Sequence, residues 1–176
     1  MSIPQTTVSS QFPIGVPGQL ADGYTAQFGD VVTRTSEEAS AEIPFGTIVK
    51  RGTVGDRCKM LTAVSDIPDG VVVFANMFDY PTERGDIGLK PKTTFGVLRK
   101  GRIYVLLETD VAITDEVHVR ATANGANTTI GICRATADAT HTIDLTGLAS
   151  WAKAGVAGDV GILEVDMTLA HSAVAD

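Results

Sequence analysis

From Val31 onward this chain never sustains a helical pattern. Short apolar segments return instead at spacings of about 8–12 residues, each bounded by Gly, Asn, Asp, Pro or Ser. "DVVTR" (30–34), "GTIVKRG" (46–52), "DRCKMLTA" (56–63) and "DGVVVFAN" (69–76) come first. "FGVLRKG" (95–101), "GRIYVLLE" (101–108), "DEVHVR" (115–120), "TTIGICRA" (128–135), "HTIDLTG" (141–147) and "DVGILEVDMTL" (159–169) follow. The rhythm predicts an all-β fold, a sandwich or barrel (jelly-roll-like) of nine or ten short strands. No amphipathic helix alternates with the strands, which disfavours a parallel βαβ arrangement. Two segments are ambiguous. "SEEASAEI" (36–43) reads as one helical turn capped by Ser36 and stopped by Pro44, and "GLASWAKAG" (147–155) as a short helix or a loop carrying Trp151.

Alternation assigns faces. In the last segment Leu163, Val165, Met167 and Leu169 point inward, and Glu164, Asp166 and Thr168 outward. Cys58 and Met60 share one face of their strand, Arg57 and Lys59 the other. "GRIYVLLE" is apolar on both faces: Ile103, Val105 and Leu107 on one, Tyr104 and Leu106 on the other. Such a strand is central in its fold, or its outer face meets another chain.

Residues 1–30 form a different zone. "FPIGVPGQLADG" (12–23) mixes Pro13 and Pro17 with three glycines and apolar side chains. Proline removes backbone donors and fixes φ, and glycine loosens the chain, so an extended arm is expected over 1–30 and a single β-domain over 31–176. The arm is too apolar for a solvated tail, which raises the question of what it lies against.

Totals narrow the function classes. A net charge of −7 repels phosphates, and "VKRG" and "LRKGR" are short basic clusters inside apolar segments, so nucleic-acid binding is not expected. Cys58 and Cys133 stand far apart, outside any disulfide framework or CxxC metal spacing, and read as small buried hydrophobes. "MSIPQTTVSS" lacks the basic and apolar regions of a secretory signal, and no window approaches the roughly 20 apolar residues of a membrane span. Synthesis and folding in a cytoplasm, without membrane contact, are expected.

The search for catalytic chemistry finds no constellation. His118, His141 and His171 fit no HxH, HExxH or HxxxH spacing, so no metal site is expected. There is no GxSxG, and Ser65 beside Asp66 and Asp69 reads as turn chemistry. Asp79, Glu83 and Asp86 do not follow the spacing of a calcium loop, and neither GxxxxGK[ST] nor GxGxxG occurs, so no cofactor and no small-molecule substrate are expected. Two alternatives stay open beside a structural role. A carbohydrate-binding β-module would use Trp151, Tyr24, Tyr80 or Tyr104 as an aromatic platform. A small β-barrel enzyme would draw on Asp66, Asp69, Asp86 and His118.

Several segments taken in order carry a resemblance: "PGQLAD", "VVTRTSEEASAEIPFGTIVKRG", "FGVLRKGRIYVLLETDVAITDEVHV", "GICRATADA" and "GILEVDM". Together they resemble the cement (decoration) proteins of tailed-bacteriophage heads, over roughly residues 17 to 167. The resemblance implies a non-enzymatic virion structural protein. It would decorate and stabilise the outside of a capsid by binding across subunits of the major capsid protein. It implies a homo-oligomer, with a trimer expected, made in the host bacterial cytoplasm and ending on the capsid exterior. It also gives the arm and the two-sided strand a use: Phe12, Ile14, Val16, Pro17, Leu20, Tyr104 and Leu106 would be the partner-binding residues. "FDYPTERGDIGLKPK" and "ASWAKAGVAGD" are longer than the family pattern, and loops 79–92 and 147–158 would carry contacts particular to this virus.

Overall fold

The computed structural model describes residues 15–74 and 88–168. In chain order these form helix α1 (Gly23–Phe28) and strands β1 (Asp30–Ser36), β2 (Ile43–Pro44), β3 (Ile48–Arg51), β4 (Arg57–Met60) and β5 (Pro68–Val72). Strands β6 (Gly88–Leu89), β7 (Thr94–Leu106), β8 (His118–Arg120), β9 (Cys133–Arg134), β10 (Thr142–Asp144), β11 (Ala149–Lys153) and β12 (Val160–Asp166) follow. "FGVLRKG" and "GRIYVLLE" are one 13-residue strand, β7, rather than two. "GLASWAKAG" holds β11 rather than a helix or loop, because Ala149–Lys153 hydrogen-bond to β12. The expected turn of helix after Ser36 is absent. The segment instead makes separate bonds: Ser36 Oγ accepts from Glu38 N, and the Glu37 and Glu38 carboxylates accept from Thr53 N and Met60 N.

The two partners of β1 settle sandwich against barrel. It pairs in parallel with β4 and antiparallel with β7. Since β4, β3, β5 and β7 are joined in sequence by antiparallel pairings, the five strands close on themselves. Closure removes exposed edges. The barrel interior is apolar: Val49, Cys58, Val72, Phe95 and Val97 fill it, and Ile43, Phe45 and Leu89 belong to the same cluster.

The long strand β7 does two jobs. Its first half belongs to the barrel. Its second half, Lys100–Leu106, pairs with β12, which pairs with β11. The join is Gly101, at φ +135°, a conformation that disfavours a side chain, and an added Cβ would lie 2.5 Å from Thr25 Cγ2. Helix α1 seats that threonine against the bend. Asp22 Oδ1 caps the helix by accepting from Thr25 N at 2.7 Å, and Thr25 Oγ1 accepts from Arg102 N at 2.9 Å. So residues 23–28 of the expected extended arm are helical, anchored by a side-chain cap that a count of prolines and glycines does not reveal.

Strands β2 and β6 pair as a two-stranded sheet, and a three-stranded sheet, in the order β10–β8–β9, completes the described fold. Between it and the outer face of β7 and β12 lies the larger core, with Leu98, Ile103, Val105, Leu107, Val119, Leu145, Trp151, Leu163, Val165 and Met167. Leu163 and Val165 of β12 and Met167 just after it point inward as expected, and Leu169 lies outside the described residues; of the two apolar faces of β7, Ile103 and Val105 are buried and Tyr104 and Leu106 half-buried. Among the described residues no helix is long and apolar enough to cross a membrane.

Candidate interaction site

Strand β5 pairs with β7 only at Val97 and Leu98. Further along β7, the main chain of Gly18–Ala21 takes up the strand. Gly18 N donates to Tyr104 O at 2.7 Å, Tyr104 N to Gln19 O at 2.9 Å and Ala21 N to Arg102 O at 2.9 Å. Phe74, which follows β5, donates from its amide to Gly18 O at 2.7 Å. The described part of the arm therefore lies on its own domain, held by the main-chain bonding that any strand edge offers. Gly18 and Gly46 make the approach possible: both have positive φ, and a Cβ on Gly46 would sit 2.7 Å from Gly18 N.

This packing sorts the partner-binding residues expected from the sequence. Leu20 bridges to Ile103 and packs against the larger core. The Tyr104 ring covers Gly15, where an added Cβ would lie 2.7 Å from Cδ2. Val16, Pro17 and Leu106 come together in one open pocket of about 440 Å³. Phe12 and Ile14 lie outside the described residues. The rest of the pocket wall includes Phe45, Phe74 and Ile132. Phe45 and Phe74 meet edge to face, with centroids 5.1 Å apart and planes at 63°. Sequence reasoning missed those three. Phe45 stood in plain view in "IPFG", but nothing local placed it beside Val16. Val16 remains 41% exposed at the rim, so the pocket presents apolar surface to solvent.

The residues that an enzyme would have used are engaged elsewhere. Asp66 Oδ2 accepts from Lys50 Nζ and from the amides of Thr62 and Ala63, at 2.7, 2.7 and 2.8 Å. Burial raises its pKa, but these donors outweigh burial and hold the carboxyl at about 2. Asp69 is fully buried and takes a forked contact from Arg34, at 2.7 and 3.3 Å. His118 is buried on β8, with Nε2 3.2 Å from Glu116 Oε2. Asp86 lies outside the described residues. The remaining three sit on the β4–β5 loop, β5 and β8. Cys58 and Cys133 are buried, and desolvation pushes both thiols up to about 12, away from nucleophilic chemistry. Among the described residues no group of three or more His, Cys, Asp or Glu is placed to hold a metal ion.

Two of the four aromatic candidates are placed by the fold. Trp151 is buried on β11, and its Nε1 donates to Glu116 O at 3.0 Å. Tyr104 is covered by the arm. Tyr80 lies outside the described residues.

No curated protein sequence matches the chain. Among solved structures, a chain from the capsid of Myoviridae phage XM1 superposes with a TM-score of 0.64 at 16% identity, covering 93% of this chain and 97% of that one. At that identity the likeness speaks for the fold. The head fiber gp8.5 N base of bacteriophage phi29 covers 78% of this chain and 94% of that one at 13% identity, and its TM-score of 0.45 carries no argument. The profile of the structural cement proteins (E217 gp24/Pam3 gp6) matches residues 3–167, nearly the whole chain, and the chain belongs to that phage family of capsid-stabilising virion structural proteins.

Proposed function

We propose that the protein decorates the outside of a tailed-phage capsid and stabilises it by binding across subunits of the major capsid protein. The observation that supports this most is the family match over residues 3–167. The pocket of Val16, Pro17 and Leu106 is the natural contact on this chain, because it is apolar, open and built on the closed barrel. An inserted apolar side chain would contribute about 1.5–3 kcal/mol before ordering costs. Phe12 and Ile14 would add apolar contacts to the shell or a sister subunit, while Leu20 and Tyr104 hold residues 18–21 against β7. A symmetric oligomer, of which a trimer is the simplest form, would add several such contacts through avidity. In this role the protein has no catalytic task. It is made in the host bacterial cytoplasm and ends on the capsid exterior.

The test is reconstitution. Purified protein is added to capsids assembled without it, and occupancy is read by cryo-electron microscopy. Density across capsid-protein junctions, with capsids surviving heat that disrupts bare shells, is the expected result. Empty shells at saturating protein would overturn the proposal.

A further inference from the structure

At one mouth of the barrel the sheet breaks register twice. Opposite β3, Val49 pairs with Gly70 and Lys50 with Pro68, which leaves Asp69 as an extra residue. Opposite β1, Asp30 pairs with Lys100 and Val31 with Leu98, which leaves Arg99 as another. A bulge re-aims a side chain. Here both bulged side chains converge, and Arg34 from β1 and Arg51 from β3 join them. Three guanidiniums thus surround one fully buried carboxylate.

They do not share it equally. Arg34 makes the forked contact already described. Arg51 Nε stays 3.4 Å from Asp69 Oδ1, and Arg99 Nε stays 3.8 Å away. Arg99 Nε is buried with no hydrogen-bond partner. Such a donor carries an uncompensated desolvation cost that an arriving acceptor would relieve. The rim acids do not fill this role: Asp30 Oδ2 reaches Arg99 Nη1 only at 4.0 Å, and Asp56 acts on Arg34 through charge alone. The mouth is open to solvent through Arg51, whose side chain is 48% exposed, while Arg99 lies deeper at 15%.

We infer that this mouth receives a carboxylate: Arg51 and Arg99 take an aspartate or glutamate side chain of a partner protein beside the buried Asp69. The guanidinium fork matches a carboxylate in plane and spacing, as the Arg34–Asp69 pair shows in the same cluster. A phosphate polymer is disfavoured, because the chain's net charge of −7 repels an extended polyanion, whereas a single carboxylate on a protein side chain is felt mainly by the guanidiniums it meets. The identity of the partner as the capsid shell rests on the function proposed above. The site itself does not.

Two measurements test the site and the partner separately. In the first, the arginine Nε–H resonances of the full-length protein are followed by NMR during titration with glutarate, with sulfate as control. A saturable shift of Arg99 Nε–H with glutarate, weakened about tenfold or more in Arg51→Gln, is expected, tenfold being about 1.4 kcal/mol. No shift, or an equal shift with sulfate, overturns the carboxylate assignment. In the second, Arg51→Glu is compared with wild type for binding to capsids assembled without the protein, with thermal unfolding as the folding check. A loss of about tenfold or more in affinity at unchanged unfolding temperature supports an acidic partner in the shell. Equal binding by both overturns that partner. A glutarate shift without any wild-type capsid binding would support the site and count against the capsid reading instead.

Discussion

Asp66 and Arg120 are two side chains whose electrostatics bear on stability. Three donors hold the Asp66 carboxyl at about 2, below its ordinary 3.8. A depressed folded-state pKa stabilises the protein above the unfolded value and loses that stabilisation as pH falls through the folded one. The contribution is on the order of 2 kcal/mol. Asp66→Asn is therefore expected to lower urea stability at neutral pH, with the gap to wild type shrinking between about pH 4 and pH 2. A gap constant across that range would refute the assignment. Arg120 is fully buried and donates to Glu108 Oε1 at 2.6 Å and to Asp138 Oδ2 at 2.7 Å, with Arg134 close to both acids. Arg120→Ala leaves those carboxylates only the longer contacts of Arg134 and, for Asp138, the amide of Asn124, and is expected to cost about 3 kcal/mol in denaturant unfolding. A loss below about 1 kcal/mol, the scale of an exposed pair, would show the network to be dispensable.

At the scale of elements, the bend in β7 and the arm beside it carry the predictions. Gly101→Ala forces a side chain into positive φ and against Thr25, and is expected to destabilise by about 1–3 kcal/mol. Thermal unfolding at wild-type temperature would show that the bend relaxes freely. Deleting residues 1–21 removes the partners of Tyr104 and Arg102 and withdraws Leu20 from the core. This deletion is expected to lower the unfolding temperature and to promote association through the bared edge of β7. Light scattering and calorimetry check this, and wild-type behaviour of the shortened chain would contradict it.

For the whole molecule, the question is whether the pocket beneath the arm faces the shell. Leu106→Gln keeps most of the side-chain volume but places an amide in an apolar wall. It is expected to weaken capsid binding by about tenfold or more with a small change in stability, since burying an unpartnered amide costs about 1–3 kcal/mol. Wild-type occupancy of capsids by this variant would move the contact surface elsewhere on the domain.

What the sequence determined by itself was the local pattern. The spacing of "GTIVKRG", "DGVVVFAN" and "GILEVDM" marks strands because alternation and turn residues act over a few positions, and it made the fold class and the inward face of β12 legible. The order of those segments also carried the family. Tertiary structure alone decided the rest. Barrel closure depends on β1 meeting both β4 and β7, pairings distant in sequence that no local pattern specifies. Trp151 became a strand residue because β12 offered an edge. The arginine mouth depends on two register breaks and on four residues from β1, β3, β5 and β7, and Val16 meets Leu106 only because Gly18 and Gly46 let two backbones touch. Spacing records neighbours along the chain, whereas a site assembled across strands is set by register, and register is a property of the packed whole.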